Sequence, residues 1–181
     1  MSEYLRELKE KDAEHMLEWM CDSEITQMFQ FNVANIDIKR IHDFINDSMS
    51  NKTTRHYAIV DDKDEYMGTI SLKDIDEKAK KAEYAIVLRK CAQGKGLAKK
   101  ATIELLTLAF QELGLQRVYL NVFSTNTHAI RFYRNLGFIQ EGEFKNHIYA
   151  KGKMYSILWF RMMKEEYLNY WGNDGKNNRE N

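Results

Sequence analysis

The sequence predicts a mixed α/β fold, with a mostly antiparallel sheet, one parallel strand–helix–strand crossover and helices on both faces. Three observations carry that expectation. The early strand patterns are joined by short polar turns, as antiparallel neighbours are. A Gly-containing turn then links a strand pattern to the longest helical one, which is followed by another strand. The whole order runs β-α-α-β-β-β-α-β-α-β-β, with no repeat and no interdomain linker.

Each element has a local signal. Tyr4–Leu8 alternates apolar and polar and predicts the first strand. Asp12 is placed to cap a helix over Ala13–Met20, with Met16, Leu17 and Met20 at helical spacing. Cys21–Asn35 has no period and is predicted irregular; it contains Met28, Phe29 and Phe31. A second helix is predicted from Asp37 to Met49, with Ile38, Ile41, Phe44 and Ile45 on one face. Strands follow at His56–Val60 and Tyr66–Leu72 around the turn Asp61–Asp64, and at Glu83–Leu88 after a charged loop. The long helix Gly96–Leu113 is closed by Gly114, and Val118–Phe123 is the next strand. A helix over Asn126–Leu136 stops at Gly137, Phe138–Glu141 starts another extended segment, and Met154–Met163 is the last core strand. Residues 1–168 are expected to form one domain. Residues 169–181 are a polar tail with little to bury beyond Tyr170 and Trp171, which dock either on the core or on a second subunit, so a homodimer stays open.

Composition excludes several classes of function. The 181 residues are 44% hydrophobic, enough for a core, and the 27 basic and 27 acidic residues cancel. There is no basic footprint for nucleic acid and no pull toward an anionic membrane. No run approaches the roughly 18–20 apolar residues that span a bilayer, and the charged N-terminus lacks an apolar signal region, which predicts a cytoplasmic protein. Cys21 and Cys91 form no disulfide framework. Together with the scattered histidines 15, 42, 56, 128 and 147 they offer no metal-ligand spacing, so no metal is expected. Cys91 is read as packing.

The sharpest feature is Gln93-Gly94-Lys95-Gly96-Leu97-Ala98, between a strand and a helix start. Such a turn aims backbone N–H groups from the positive end of a helix, and glycines let the chain approach a ligand closely, which suits a phosphate or diphosphate. A plain tight turn would look the same. GxGxxG fails at Lys99. A P-loop fails because Arg89 stands where its first glycine belongs and Gly96 follows Lys95 in place of Ser or Thr.

The run Gln93–Ala98 resembles the Q/R-x-x-G-x-G/A signature of the GNAT superfamily of acetyl-CoA-dependent N-acetyltransferases. Asn126-Thr127-His128-Ala129-Ile130-Arg131-Phe132-Tyr133-Arg134-Asn135-Leu136-Gly137-Phe138 resembles that superfamily's N-x-x-A-x-x-x-Y-x-x-x-G-F segment. Glu141-Gly142, followed by Gly152-Lys153-Met154 and the last strand, is similar to the C-terminal hairpin of the ribosomal-protein N-terminal acetyltransferase (RimJ/RimL-like) branch.

The resemblance implies the GNAT fold and transfer of an acetyl group from acetyl-CoA, as cosubstrate, to a primary amine by direct attack. It assigns Ile86, Val87 and Leu88 to the pantetheine arm, and Gln93, Gly94, Lys95, Gly96, Leu97 and Ala98 to the diphosphate, with added charge from Lys95 and Lys99. Asn126 would hydrogen-bond the arm, although an Asn there is also a natural helix cap. Tyr133 would be the general acid on the leaving thiolate, although with Ala129, Phe132 and Leu136 it also fits a core stripe. Glu83 is the candidate base, and a salt bridge to Lys81 is its ordinary alternative. Phe29, Phe31, Asn32 and His147 fall where this superfamily builds its acceptor pocket. Their aromatic character leans toward an amino sugar, an aminoacyl group or a protein N-terminus, with polyamine acetylation as the alternative. A non-catalytic acyl-CoA-binding module is the rival class, and the intact Asn126 and Tyr133 argue against it.

Overall fold

The structure is a computed structural model and describes residues 3–27, 36–150 and 152–171. The chain gathers into two compact units, Met1–Ile75 with Glu83–Leu105, and Asp76–Ala82 with Leu106–Asn181.

In the first unit the strands β1 (Leu5–Glu7), β2 (Arg55–Val60), β3 (Tyr66–Asp76) and β4 (Lys81–Leu88) lie in that order. β1 pairs antiparallel with β2, opposing Leu5 to Ile59, and β2 pairs antiparallel with β3, opposing Ala58 to Thr69. Alternation places Ala58 and Val60 in a cluster with α1 (Ala13–Cys21) and α3 (Ile38–Ser50), whose buried members include Met16, Trp19, Ile41 and Ile45. The helical spacing expected for α1 is present, but Trp19 takes the fully buried place, and Leu17 and Met20 are half-buried. Ile38, expected on the buried face of α3, is 38% exposed in the first turn. The cap of α3 is Asp37, which accepts from the Arg40 N–H at 2.8 Å.

Two local expectations change. A short helix, α2 (Ser23–Thr26), occupies part of the segment predicted irregular, and the Asp22 side chain caps it through the Glu24 N–H. Asp12 does not cap α1. Its carboxylate is 1% exposed, accepts from the Lys9 N–H at 2.9 Å and is held by both terminal nitrogens of Arg6 at 2.7 and 2.8 Å. An exposed cap would leave that guanidinium with Asp64 alone and without its buried, two-pronged anion, so the ion pair takes the aspartate.

α4 (Leu97–Thr107) buries Ala101, Thr102 and Leu105 and then widens into one π-turn over Leu108–Glu112. There the Leu113 N–H reaches the Leu108 carbonyl at 2.9 Å. Gly114, at φ +64°, closes it as expected.

The second unit orders its strands β5 (Arg117–Phe123), β7 (Lys153–Met163), β6 (Ile139–Ala150), all antiparallel. Register opposes Val118 to Met162, Leu120 to Phe160 and Val122 to Leu158, so one face of the sheet is a run of buried apolar side chains. α5 (Thr127–Asn135) contributes Ile130 and Tyr133 to the buried set. α6 (Lys164–Trp171) follows β7 directly and runs past residue 168 into the first residues of the polar tail. Tyr167 is buried, with its hydroxyl 2.7 Å from that of Thr107; the Trp171 indole donates to the Leu136 carbonyl at 3.1 Å, and the Tyr170 ring lies against Gly137.

Among the described glycines, the tightest approach to another backbone is at Gly68. A Cβ there would collide with the Val87 carbonyl oxygen and stand 3.0 Å from the Leu88 Cα. Gly68→Ala is therefore expected to cost on the order of 1–3 kcal/mol, because the opposing atoms are backbone and cannot rotate away. Thermal unfolding checks this: a melting temperature within a degree or so of the parent would show that the strands adjust freely.

Candidate active site

The sequence-derived residues divide between the two units. In the first, β4 alternates buried and half-buried side chains as far as Tyr84, and then Ala85, Ile86, Val87 and Leu88 are all half-buried. The end of this strand is partly open, with Val87 still packed against the core cluster. Directly beyond it the Arg89 N–H donates to the Met67 carbonyl at 2.8 Å, and Lys90–Ala92 form one tight helical turn closed by Ala92 N–H to Arg89 carbonyl at 3.0 Å. Ala92 is buried. Gln93, Gly94, Lys95 and Gly96 are exposed, while Leu97 and Ala98 are half-buried at the start of α4 and Lys99 is exposed.

Gly94 and Gly96 have φ of +74° and +75°, and a Cβ on either would meet no atom within 4 Å. Glycine is required here by the backbone conformation, and the space beside it is open. The first N–H groups of α4 have no partner within the helix by construction, so this turn presents donors and positive helix-end potential to an open surface. That arrangement fits an anionic diphosphate.

Glu83, on the same strand, is paired with Lys73 at 2.8 Å, not with Lys81 as its ordinary alternative had it. Cys91, read as packing, is exposed, as is Cys21. Its place between Lys90 and the buried Ala92 turns it outward. A shallow depression lined by Glu24, Ile25, Gln27, Lys90 and Gln93 adjoins the turn.

In the second unit the Asn126 carboxamide oxygen accepts from the Ala129 N–H at 3.1 Å, so Asn126 caps α5. The nitrogen of the same carboxamide can only donate, which leaves the cap compatible with a further bond. Tyr133 is 8% exposed, with ring centroids 5.5 Å from Phe132, 5.9 Å from Phe138 and 6.2 Å from Phe160. Burial raises its phenol pKa above the ordinary value, which keeps the hydroxyl protonated. Tyr133 and Leu136 are buried as the core stripe requires, while Ala129 and Phe132 are only half-buried and Ile130 joins the buried set.

His147 is exposed on β6, its ring 5.1 Å from Phe144, beside the bulge where Asn146 takes φ +48°. Phe29, Phe31 and Asn32, the remaining acceptor-pocket expectations, lie outside the described residues. Among the described residues no group of three or more His, Cys, Asp or Glu could hold a metal, and no helix is long and apolar enough to cross a membrane. Arg89 entered the sequence analysis only as a residue that breaks a P-loop spacing. A guanidinium directly after the apolar run Ala85–Leu88 was the signal available, and it marks a buried ion-pair centre: Arg89 is 8% exposed and bonds Glu18, Glu65 and the Tyr66 carbonyl.

The acetyltransferase (GNAT) domain family matches residues 4–139. This chain belongs to the GNAT acetyltransferase family. It is 30% identical over 167 residues to the N-acetyltransferase p20 of Bacillus licheniformis, covering 90% of this chain and 93% of that one. It is 31% identical over 130 residues to the spermidine N(1)-acetyltransferase of Escherichia coli K12, covering 72% of this chain and 65% of the relative. The crystal structure of spermidine N-acetyltransferase from Vibrio cholerae in complex with CoA and spermine matches with a TM-score of 0.84 at 22% identity, over 91% of this chain and 97% of that one. The expected fold is thereby shown, and the GNAT chain is an acetyl-CoA-dependent N-acetyltransferase.

In this GNAT enzyme Lys73, the partner of Glu83, also faces His56, whose Nδ1 lies 2.7 Å from the Ser71 hydroxyl and whose ring is 4.6 Å from Phe44. Burial first, and the Lys73 charge second, lower the His56 pKa from 6.5 to about 4. Between those values the unfolded chain binds a proton that the folded chain refuses. Stability contributed by neutral His56 is therefore full above the unfolded pKa, falls as pH drops through this window, and levels off below the folded pKa. Melting temperatures from about pH 7 to about pH 4 are expected to fall, and His56→Gln is expected to flatten part of that slope; an identical slope in the variant would remove His56 from the account.

Proposed function

We propose that this enzyme acetylates an aliphatic polyamine by direct attack of a neutral primary amine on acetyl-CoA. The observation that carries the cofactor assignment is the open Gly94–Gly96 turn at the start of α4, with its two positive-φ glycines. The amides from Gly94 to Ala98 hold the diphosphate, Lys95 and Lys99 add charge, and the half-buried end of β4 at Ile86–Leu88 takes the pantetheine arm. The family motif also gives Asn126 a bond to that arm, and its carboxamide nitrogen is the donor that the α5 cap does not use. The bound cosubstrate supplies a thioester whose sulfur leaves as a thiolate.

Tyr133 is the proposed acid. Its raised pKa has two consequences of opposite sign. The phenol is never lost to ionisation near neutral pH, but it is a weaker acid than a thiol of pKa about 8.5, so it donates a hydrogen bond and yields its proton only as sulfur charge develops. Glu83 is the proposed proton acceptor. Its pairing with Lys73 at 2.8 Å holds the carboxylate in place on β4.

Similarity to spermidine acetyltransferases supports the polyamine acceptor. The aromatic side chains that suggest a stacking wall are compatible with it, because ring faces also attract alkylammonium groups. A peptide N-terminus, the acceptor of the ribosomal-protein (RimJ/RimL-like) branch, is the second reading. It is favoured by the exposed Phe144, His147 and Tyr149 on β6, where a chain could lie.

Free-thiol release and product mass with spermidine, spermine, an amino sugar and short peptides separate these readings. Spermidine or spermine is expected to give the highest kcat/KM. Preference for a peptide would favour the second reading, and no thiol release with any amine would leave a binding module. With the best acceptor, Tyr133→Phe is expected to keep the melting temperature and lose at least about tenfold in kcat, and Glu83→Gln is expected to lose less. Parental kcat in folded Tyr133→Phe would return this side chain to a purely packing role.

A further inference from the structure

We infer that Arg89 is a positioning residue for acetyl-CoA binding, fixing the end of β4 from which the Gly94–Gly96 turn is suspended. The inference rests on the diphosphate assignment of that turn.

The turn is an exposed four-residue span, Gln93 to Gly96, with no bulk of its own to hold it. Its shape is set by its two ends. On the helix side, α4 is anchored by buried Ala101, Thr102 and Leu105, and the Thr102 hydroxyl lies 2.8 Å from that of Tyr84 on β4. On the strand side the anchor is Arg89. Its N–H is bonded to Met67 at 2.8 Å, and its carbonyl accepts from Ala92. Its guanidinium reaches two further elements: Nη2 to Glu18 on α1 at 2.7 Å, and Nη1 to Glu65 at 3.0 Å and to the Tyr66 carbonyl at the start of β3 at 2.9 Å.

A single side chain thus ties the residue that follows β4, one short helical turn ahead of the exposed span, to α1 and β3. Both carboxylates are half-exposed, 52% for Glu18 and 48% for Glu65, while the guanidinium is 9% exposed. The cost of burying that cation is met only while the fork is satisfied. If it is lost, the segment from Leu88 to Gln93 gains freedom that CoA binding must remove again, and a cradle of backbone amides loses affinity when its donors are not pre-set.

Arg89 touches neither the amine nor the thioester in this account, so its loss acts on binding and spares the chemical step. In Arg89→Met, CoA affinity by calorimetry, well below the melting temperature, is expected to fall at least about fivefold, and KM for acetyl-CoA to rise in step. kcat at saturation is expected to stay within about twofold. Arg89→Lys, which can hold one carboxylate, is expected to recover part of the affinity. If Arg89→Met does not fold, the double variant Glu18→Gln/Glu65→Gln keeps the guanidinium and its bond to Tyr66, and is expected to weaken CoA binding by about twofold or more. Parental CoA affinity in a folded Arg89→Met, or in the double variant where that one fails, overturns the inference, as does a matching loss of kcat. Gly96→Val is the control. If it too binds CoA as the parent does, the diphosphate assignment is wrong; if it loses affinity while the Arg89 variants do not, only the role of Arg89 falls.

Discussion

At Gly68 the backbone of β3 comes so near to the carbonyl of Val87 that no side chain fits between them. Much of the first unit depends on this approach. With the Arg89 N–H bonded to Met67 immediately beyond, the end of β4 is fixed by backbone contacts on the β3 side. It can therefore leave Ile86, Val87 and Leu88 half-buried without fraying. A strand end that is both pinned and partly open is what a ligand needs if it is to lie along backbone and not against packed side chains.

Charge is used in the same unit to hold loops to the layer beneath them. Arg6 gathers Asp12 and Asp64, Lys11 joins Asp64 at 2.6 Å, and Arg89 gathers Glu18 and Glu65. In each case an arginine with low exposure is the centre and more exposed carboxylates surround it, apart from Asp12. Isolated exposed pairs contribute little, but a buried guanidinium with its fork filled is costly to disturb, so these centres fix geometry more than they add stability. The neutral overall charge of the chain conceals this local order.

The second unit solves a different problem. For the acid role proposed above, Tyr133 has to be packed firmly enough to be placed, yet keep a protonated hydroxyl. Ring contacts with Phe138 and Phe160 do the first, and the same desolvation does the second by raising the phenol pKa. Packing is therefore compatible with the acid role proposed for this residue. The periodicity that marks it as core and the motif that marks it as functional describe one side chain. Asn126 shows the same economy, capping α5 with its oxygen while its nitrogen stays a donor.

The sequence by itself determined the order of the strands and of the four longer helices between them, the Gly114 stop and the two motifs, because each is written in neighbouring residues: period-two and helical patterns, positive-φ glycines, and Asn126 ahead of its helix. Tertiary structure decided what depends on partners far along the chain. Asp12 looked like a cap and became an anion of Arg6; Glu83 paired with Lys73 ten residues away and not with its neighbour Lys81; Cys91 turned outward; and α6 ran on from the last strand into the start of the polar tail, where, of the two dockings left open for Tyr170 and Trp171, they took the one on the core, at Gly137 and Leu136. Arg89 is the clearest case, since nothing local tells that Glu18 and Glu65 converge on it. Local backbone preferences act within a few residues and can be read in order, whereas the choice of partner for a charge or an aromatic ring is settled only when distant segments are brought together.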